Sequence, residues 1–249
     1  MVNLLSVKDL KYKEILDGLS FSIKEDTFNI LIGKNGVGKT TLVKAILGLI
    51  DYTGDIRFKY KRKDIGVITD FTEITKDTVS DYLLEPLLNL GYTETRAKRV
   101  VYTTAKHLGI GTLIERKTNT LTEEEELIVL LVHSIIHKPK LVIIDNTLDI
   151  LSSHNKKAFI NYLKNIKITV IFITNDSRYF KYGNRLLIMT KDNIEEIKQS
   201  KSISSLEKKL IRNNSELPFC LELSNKLYLY GIIDKLYNTN SELVENIWK

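Results

Sequence analysis

Phe28-Asn29-Ile30-Leu31-Ile32-Gly33-Lys34-Asn35-Gly36-Val37-Gly38-Lys39-Thr40-Thr41, continued through Leu42 to Leu49, decides how this chain folds. Phe28–Ile32 reads as a buried strand. From Thr40 onward the apolar residues Leu42, Ala45, Ile46 and Leu49 fall on one face of a helix. Between them, Gly33, Gly38, Lys39 and Thr40 fit the pattern G-x-x-x-x-G-K-[ST]. In that pattern the glycines let backbone N–H groups wrap phosphates, the lysine reaches the β and γ oxygens, and the hydroxyl coordinates Mg²⁺. The helix that opens on the loop adds the positive end of its dipole to the same anion site. Asn35, Gly36 and Thr41 complete the expected nucleotide-binding set. The expected ligands are therefore a nucleoside triphosphate and Mg²⁺.

Working outward, Leu4 to Val7 and Gly18 to Ile23 read as short strands ahead of the loop. Behind it, Val79 to Leu90, Glu94 to Leu108 and Glu123 to His137 carry helical spacing. After Pro139, the run Leu141-Val142-Ile143-Ile144 has the continuous apolar character of a buried parallel strand and ends on Asp145. An acid there is placed to bind magnesium directly or through water; the plain alternative is a helix cap after a strand. A helix from Asn155 to Lys164, a strand from Thr169 to Ile173 and a last one from Leu186 to Met189 follow. This alternation predicts an α/β fold. Beyond about residue 200 the chain changes character. Lys- and Asn-rich spacers there surround two short helical segments, Phe219 to Tyr230 and Glu242 to Trp248.

A chain of 249 residues with 43% hydrophobic content can bury a proper core. Its longest apolar stretch, Leu127 to Ile136, is about half of the roughly 20 residues a spanning helix needs, and His133 interrupts it. No basic start, long apolar segment or small-residue cleavage site marks the N-terminus, so a cytoplasmic protein is expected. The single cysteine, Cys220, rules out an internal disulfide and a multi-thiolate zinc site. The net charge of +6 arises from 37 basic and 31 acidic residues that are mostly interspersed. It lends slight support to a place beside an anionic membrane face. The one basic run, Lys59-Tyr60-Lys61-Arg62-Lys63, reads as nucleic-acid contact or as a solvated hairpin or turn between strands around Ile56 and Ile65. The second reading is preferred, and no nucleic-acid partner is expected. The histidines, His107, His133, His137 and His154, lack metal-ligand spacing and read as surface or core residues.

The loop GKNGVGKTT, the later strand KPKLVIID and the spacing between them resemble the ATP-binding subunits of ABC transporters over nearly the whole chain. The resemblance implies a P-loop NTPase cassette with an antiparallel β subdomain and a helical subdomain near residues 71–137. It also implies that Tyr12 stacks on adenine and that Asp145 and Thr40 hold magnesium. Departures from the family pattern are as informative. Where the family has a glutamine that senses Mg²⁺ and the membrane partner, this chain has Asp70. The family's catalytic glutamate is replaced by Asn146, an amide that cannot accept a proton from water, so general-base help should be largely lost. The switch histidine is matched by Asn175, which can hydrogen-bond a γ-phosphate but carries no positive charge.

The family's signature LSGGQ is matched by Leu121-Thr122-Glu123-Glu124-Glu125. Acids facing a phosphate would oppose closure, because two unit charges at about 4 Å interact by about 4 kcal/mol at an effective dielectric of 20. A structural account is also available: Thr122 with Glu125 fits a capping box, and acids in a first turn favour the helix dipole. In the family's subunit-contact sequence, Ser152 stands where an aspartate is expected. The tail segments 216–227, 230–232 and 241–244 resemble those of energy-coupling factor transporter ATPases. That resemblance implies an ATPase subunit, peripheral on the inner face of the cell membrane. It would pair with a second, non-identical ATPase and dock on an integral membrane T-component. The expected division is a nucleotide-binding domain at 1–198 and a C-terminal appendage at 199–249, a candidate dimerisation segment. By family the chain is an ATPase, with weak or partner-dependent hydrolysis expected from Asn146 and Asn175. The rival reading is an ATP-binding regulatory or scaffold protein outside any transporter.

Overall fold

The computed structural model describes residues 3–70, 72–145, 147–175, 177–197, 219–233, 237 and 243–245. In chain order these form β1 (Asn3–Tyr12), β2 (Leu16–Lys24), β3 (Phe28–Ile32), α1 (Lys39–Leu47), β4 (Thr53–Phe58), β5 (Ile65–Ile68), α2 (Val79–Asn89), α3 (Glu94–His107) and α4 (Glu123–Ile136). They continue with β6 (Leu141–Asp145), α5 (Ser153–Asn165), β7 (Thr169–Ile173), β8 (Arg185–Met189), β9 (Ile194–Ile197) and α6 (Phe219–Leu229). A three-stranded sheet has the order β2-β1-β4. Contacts divide the chain into two interleaved units, one holding 3–6, 22–28 and 56–172, the other 7–21, 29–55 and the described residues from 173 onward.

In the first unit β5, β6 and β7 are successive neighbours. β5 and β6 run parallel, with Ile65 opposite Leu141 and Ile68 opposite Ile144. All five residues of β6 and of β7 are buried, which is why both read as unbroken apolar runs rather than alternating ones. Helices α2, α3 and α4 enclose their own core, in which Val79, Leu83, Ala97, Ala105, Val129 and Val132 have no exposed surface. Removing one such leucine costs about 2–5 kcal/mol in a typical core. Gly66 of β5 admits the backbone of α4: a Cβ there would sit 2.1 Å from the carbonyl oxygen of Ser134.

Each helix of this unit starts on a hydroxyl. Thr78, Thr93, Thr122 and Ser152 accept the N–H of the third helical residue of α2, α3, α4 and α5. Such caps contribute roughly 1 kcal/mol each. The basic run is not a hairpin. β4 pairs in the small sheet and β5 with β6, so Lys59–Lys63 joins two sheets and passes through a short 3₁₀ turn, Arg62–Asp64. Lys59 and the Tyr60 hydroxyl each lie 2.9 Å from Glu25 Oε1.

In the second unit β3 lies parallel to β8, Asn29 to Ile32 opposite Arg185 to Ile188. β9 returns antiparallel on β8, a strand too short and polar to be anticipated. The polar Asn29 is tolerated at the start of a buried strand because its Oδ1 accepts from Arg185 Nη1 at 3.2 Å. β1 runs on past Val7 to Tyr12, further than expected. Helix α6 matches its expected span, and Ile233, Tyr237 and Leu243 form a small core with Leu223 and Leu227. Within it the buried Ser224 hydroxyl accepts the N–H of Tyr237 at 2.8 Å. The boundary near Lys198 falls outside the described residues. Of the expected helix Glu242–Trp248, Leu243 to Glu245 are described and are helical.

Candidate functional site

Buried β3 delivers Gly33 against the end of β8, where a Cβ would lie 2.7 Å from the carbonyl oxygen of Met189. No other residue type fits that close approach. Gly38 closes the loop with φ 102°, in the left-handed region that disfavours a side chain. A Cβ on Gly38 would also meet Leu16 and Ile15 at 2.7 and 2.8 Å. Helix α1 then starts with no side-chain cap and no acid in its first turn. The positive end of its dipole therefore meets neither a capping side chain nor a carboxylate of its own first turn. The contrast with the hydroxyl-capped α2 to α5 is plain. Lys39 folds back over the loop, its ammonium donating to the carbonyls of Gly33 at 2.6 Å and Lys34 at 3.0 Å. Thr40 and Thr41 follow on α1, both half-buried, whereas Asn35 and Gly36 are exposed.

Asn175, just beyond β7, joins this loop. Its Oδ1 accepts the N–H of Gly33 at 3.2 Å, and its Nδ2 donates to Asn35 Oδ1 at 3.1 Å. Sequence reading assigned Asn175 a position but not this pairing, since nothing in spacing relates a residue to another 140 positions away. Tyr12, half-buried at the end of β1, lines a hollow of about 680 Å³ with Lys11, Lys13, Ile50, Asp51, Tyr52 and Thr53. The Lys13 ammonium sits 5.2 Å from the Tyr12 ring centre. Tyr52, a second aromatic in the same hollow, escaped the sequence reading.

The other predicted site residues lie in the first unit. Asp145 ends β6 and is 9% exposed. Asp70 is exposed in a turn after β5, next to the buried Thr69, whose N–H donates to Thr72 Oγ1 at 3.0 Å. Asn146 lies outside the described residues. At the signature position the capping box is present. Glu125 Oε2 accepts the N–H of Thr122 at 2.8 Å, and Thr122 Oγ1 accepts that of Glu125 at 3.3 Å. Arg116 Nη1 donates to Glu125 Oε1 at 2.7 Å, while its Nη2 holds the Thr120 carbonyl. Glu124 Oε1 accepts the N–H of Ser152 and the amide of Asn155, each at 2.8 Å.

These bonds hold both carboxyls below the usual glutamate range. For Glu124 the Ser152 N–H is the main cause; for Glu125 it is the Thr122 N–H. The start of α4 is thus occupied by the chain's own acids. Among the histidines, His107 and His154 are exposed. His133 stacks on Tyr82 with ring centres 4.0 Å apart and planes 13° apart.

A buried strand, a glycine loop with its lysine folded inward and a glycine-capped helix define the chain as a P-loop nucleotide-binding protein of the α/β class. The family model described as ABC transporter matches residues 16–149, over half of the chain. The chain belongs to the ABC transporter family. It is an ATP-binding subunit of that family, whose members bind ATP, typically with Mg²⁺, and hydrolyse it. It is distantly similar to the energy-coupling factor transporter ATP-binding protein EcfA1 of Streptococcus thermophilus, 25% identical over 99% of this chain and 98% of that one. EcfA1 of Bacillus subtilis is also 25% identical, over 98% and 96%.

Among solved structures, cbiO1 from Clostridium perfringens, part of the ABC transporter complex cbiONQ, superposes with a TM-score of 0.71 at 22% identity. It covers 92% of this chain and 99% of that one. MJ1267, an ATP-binding cassette of an ABC transporter, gives 0.72 at 21% identity, over 86% and 99%. The fold is accordingly the ABC ATPase cassette, with its antiparallel sheet and helical elements. No helix among the described residues is long and apolar enough to cross a membrane.

Proposed function

We propose that this chain binds Mg-ATP as one ATPase subunit of a transporter of the energy-coupling factor type and hydrolyses it weakly or only with a partner. The observation that carries the reading is the contrast between two helix starts. α1 opens on a bare glycine cap with Lys39 folded over it, whereas the start of α4 is filled by Glu124 and Glu125. One fits a phosphate, and the other repels it.

In this reading the loop N–H groups and Lys39 hold the phosphates, with Asn35, Gly36 and Thr41 beside them, and Tyr12 carries the base. Thr40 and Asp145 are the candidate magnesium ligands on the strength of the sequence pattern, and Asp70 stands at the position that senses the metal. The metal would neutralise charge on the phosphates. Asn146 orients water without accepting its proton, so turnover needs a glutamate that this chain does not supply at that position. The names of the relatives EcfA1 and cbiO1 support a complex with a second, non-identical ATPase and an integral membrane T-component. In this reading the chain is peripheral on the inner face of the cell membrane. Residues 1–198 serve as the nucleotide-binding domain and 199–249 as an appendage for pairing.

The test is Mg-ATP binding and turnover by the purified chain alone and then with its co-expressed second ATPase, with Lys39→Ala as the control. Binding without turnover alone, and turnover with the partner, is the expected result. Fast turnover by the chain alone would overturn the partner dependence. Absence of binding would overturn the whole reading.

A further inference from the structure

The chain reaches Asn175 on backbone already fixed beside the loop, because the N–H of Thr174 donates to the carbonyl of Leu31 at 3.1 Å. From there the carboxamide spans the first turn of the phosphate loop, accepting from Gly33 N–H at 3.2 Å and donating to Asn35 Oδ1 at 3.1 Å. Gly33 is buried and Asn35 exposed, so the two bonds tie the root of the loop to its outer lip. We propose that Asn175 is a positioning residue that clasps the phosphate loop. It sets affinity for the phosphates common to nucleoside di- and triphosphates and does not read the terminal phosphate. This inference rests on the nucleotide reading of the loop given above.

The residue type suits the task. A carboxamide carries an acceptor and a donor side by side on one short planar group. Aspartate offers only acceptors, so it keeps the bond from Gly33 N–H, loses the donation to Asn35 Oδ1 and adds a negative charge to the loop. Alanine loses both and leaves the N–H of buried Gly33 without this partner. Histidine sets its two ring nitrogens on a wider frame, and only one of them accepts at a time. Both bonds are made by the chain to itself, from Asn175 to the root and the outer lip of one loop, which is the geometry of a brace. A group that reads the terminal phosphate would instead keep its polar atoms turned towards the ligand.

The experiment measures binding of Mg-ADP and of a non-hydrolysable Mg-ATP analogue to the full chain by titration calorimetry. It compares the wild type with Asn175→Ala, Asn175→Asp, Asn35→Ala and the Asn35→Ala/Asn175→Ala pair. Loss of the clasp should weaken both nucleotides by the same factor, about 5-fold to 10-fold for Asn175→Ala, on the scale of one to two net hydrogen bonds. Asn175→Asp also brings a negative charge to the phosphate loop and should weaken both nucleotides at least as much as Asn175→Ala. Adding Asn35→Ala to Asn175→Ala should cost less than Asn35→Ala costs alone, because the shared bond is already gone. A purely structural role for Asn175 would not couple it to Asn35 in nucleotide affinity. A loss confined to the ATP analogue, additive single effects or unchanged affinities would each overturn the clasp. Should Asn175→Ala fail to fold, the uncharged Asn175→Ser, alone and paired with Asn35→Ala, reads the same coupling. A wild-type chain that binds neither nucleotide would instead overturn the nucleotide reading itself.

Discussion

His133 offers a stability measurement whose size follows from the structure. Its ring lies flat on Tyr82, joining α4 to α2 inside the helical core, and its Nε2 is buried with no hydrogen-bond partner among the described residues. Burial opposes the imidazolium and pulls the pKa from 6.5 down to about 4. Glu85 partly offsets this, and His137 adds to it. The same burial pushes the Tyr82 hydroxyl up to about 12. The folded state therefore keeps His133 neutral where the unfolded chain takes up a proton. Between the two pKa values the unfolded state binds more protons, so the stability this residue supports is complete above 6.5 and is lost as pH falls towards 4.

The full difference is about 3 kcal/mol, and about 2 kcal/mol of it is gone at about pH 5. For a chain of this length that corresponds to a fall of roughly 4–8 °C in melting temperature. His133→Phe keeps a flat ring on Tyr82 and removes the titration. Thermal unfolding followed by circular dichroism from about pH 7.5 to pH 5 should show the wild type losing several degrees more than His133→Phe. Parallel pH profiles for the two proteins, or a His133 proton titrating near 6.5 by NMR in the folded chain, would refute the argument.

Two further outcomes follow from the helix starts. Thr122→Ala removes the acceptor for the N–H of Glu125 at the head of α4 and should cost about 1 kcal/mol in urea unfolding at neutral pH; an unchanged midpoint would mean the capping box adds nothing. Gly38→Ala forces a side chain onto a backbone with φ 102° and towards Leu16 and Ile15. It should destabilise the fold by about 1–3 kcal/mol and weaken Mg-ATP binding more than Gly36→Ala, which shares a positive φ of 78° but meets nothing within 4 Å. In a calorimetric comparison, equal losses for the two would show that backbone strain alone, and not the contact with Leu16 and Ile15, is what the glycine avoids.

Most of the cassette was legible where one local signal dominates. β3, β6 and β7 are five-residue strands buried at every position, and an unbroken apolar run has few other ways to fold. The capping box at Thr122–Glu125 was legible because its partners lie three residues apart. What escaped was carried by sequence-distant partners. Glu124 reaches Ser152 and Asn155, 28 and 31 positions on. Asn175 reaches Asn35 across 140. Arg185 makes a polar strand start acceptable by meeting Asn29. Each follows from tertiary placement, which composition and periodicity do not encode. The basic run misled in a related way. Its charges fit a hairpin, but the strands on either side belong to different sheets.

The glutamates at the start of α4 carry the last step. In a helix N-terminus the first N–H groups need acceptors, and the dipole favours negative charge. A phosphate can meet both needs, and so can a carboxylate supplied by the chain. At α1 the chain places glycine and no acid. At α4 it places four acids in the first turn, with Glu125 returning to Thr122 and Glu124 bridging to the start of α5. The second arrangement gives the Thr122 N–H to the chain's own Glu125 and sets further carboxylates around it. It also ties α4 to the turn at Ser152. An α4 start built this way caps its own helix and presents negative charge to an incoming phosphate. The two helix starts of one chain thus answer the same electrostatic need in opposite ways: α1 without an acid of its own, α4 with carboxylates supplied by the chain.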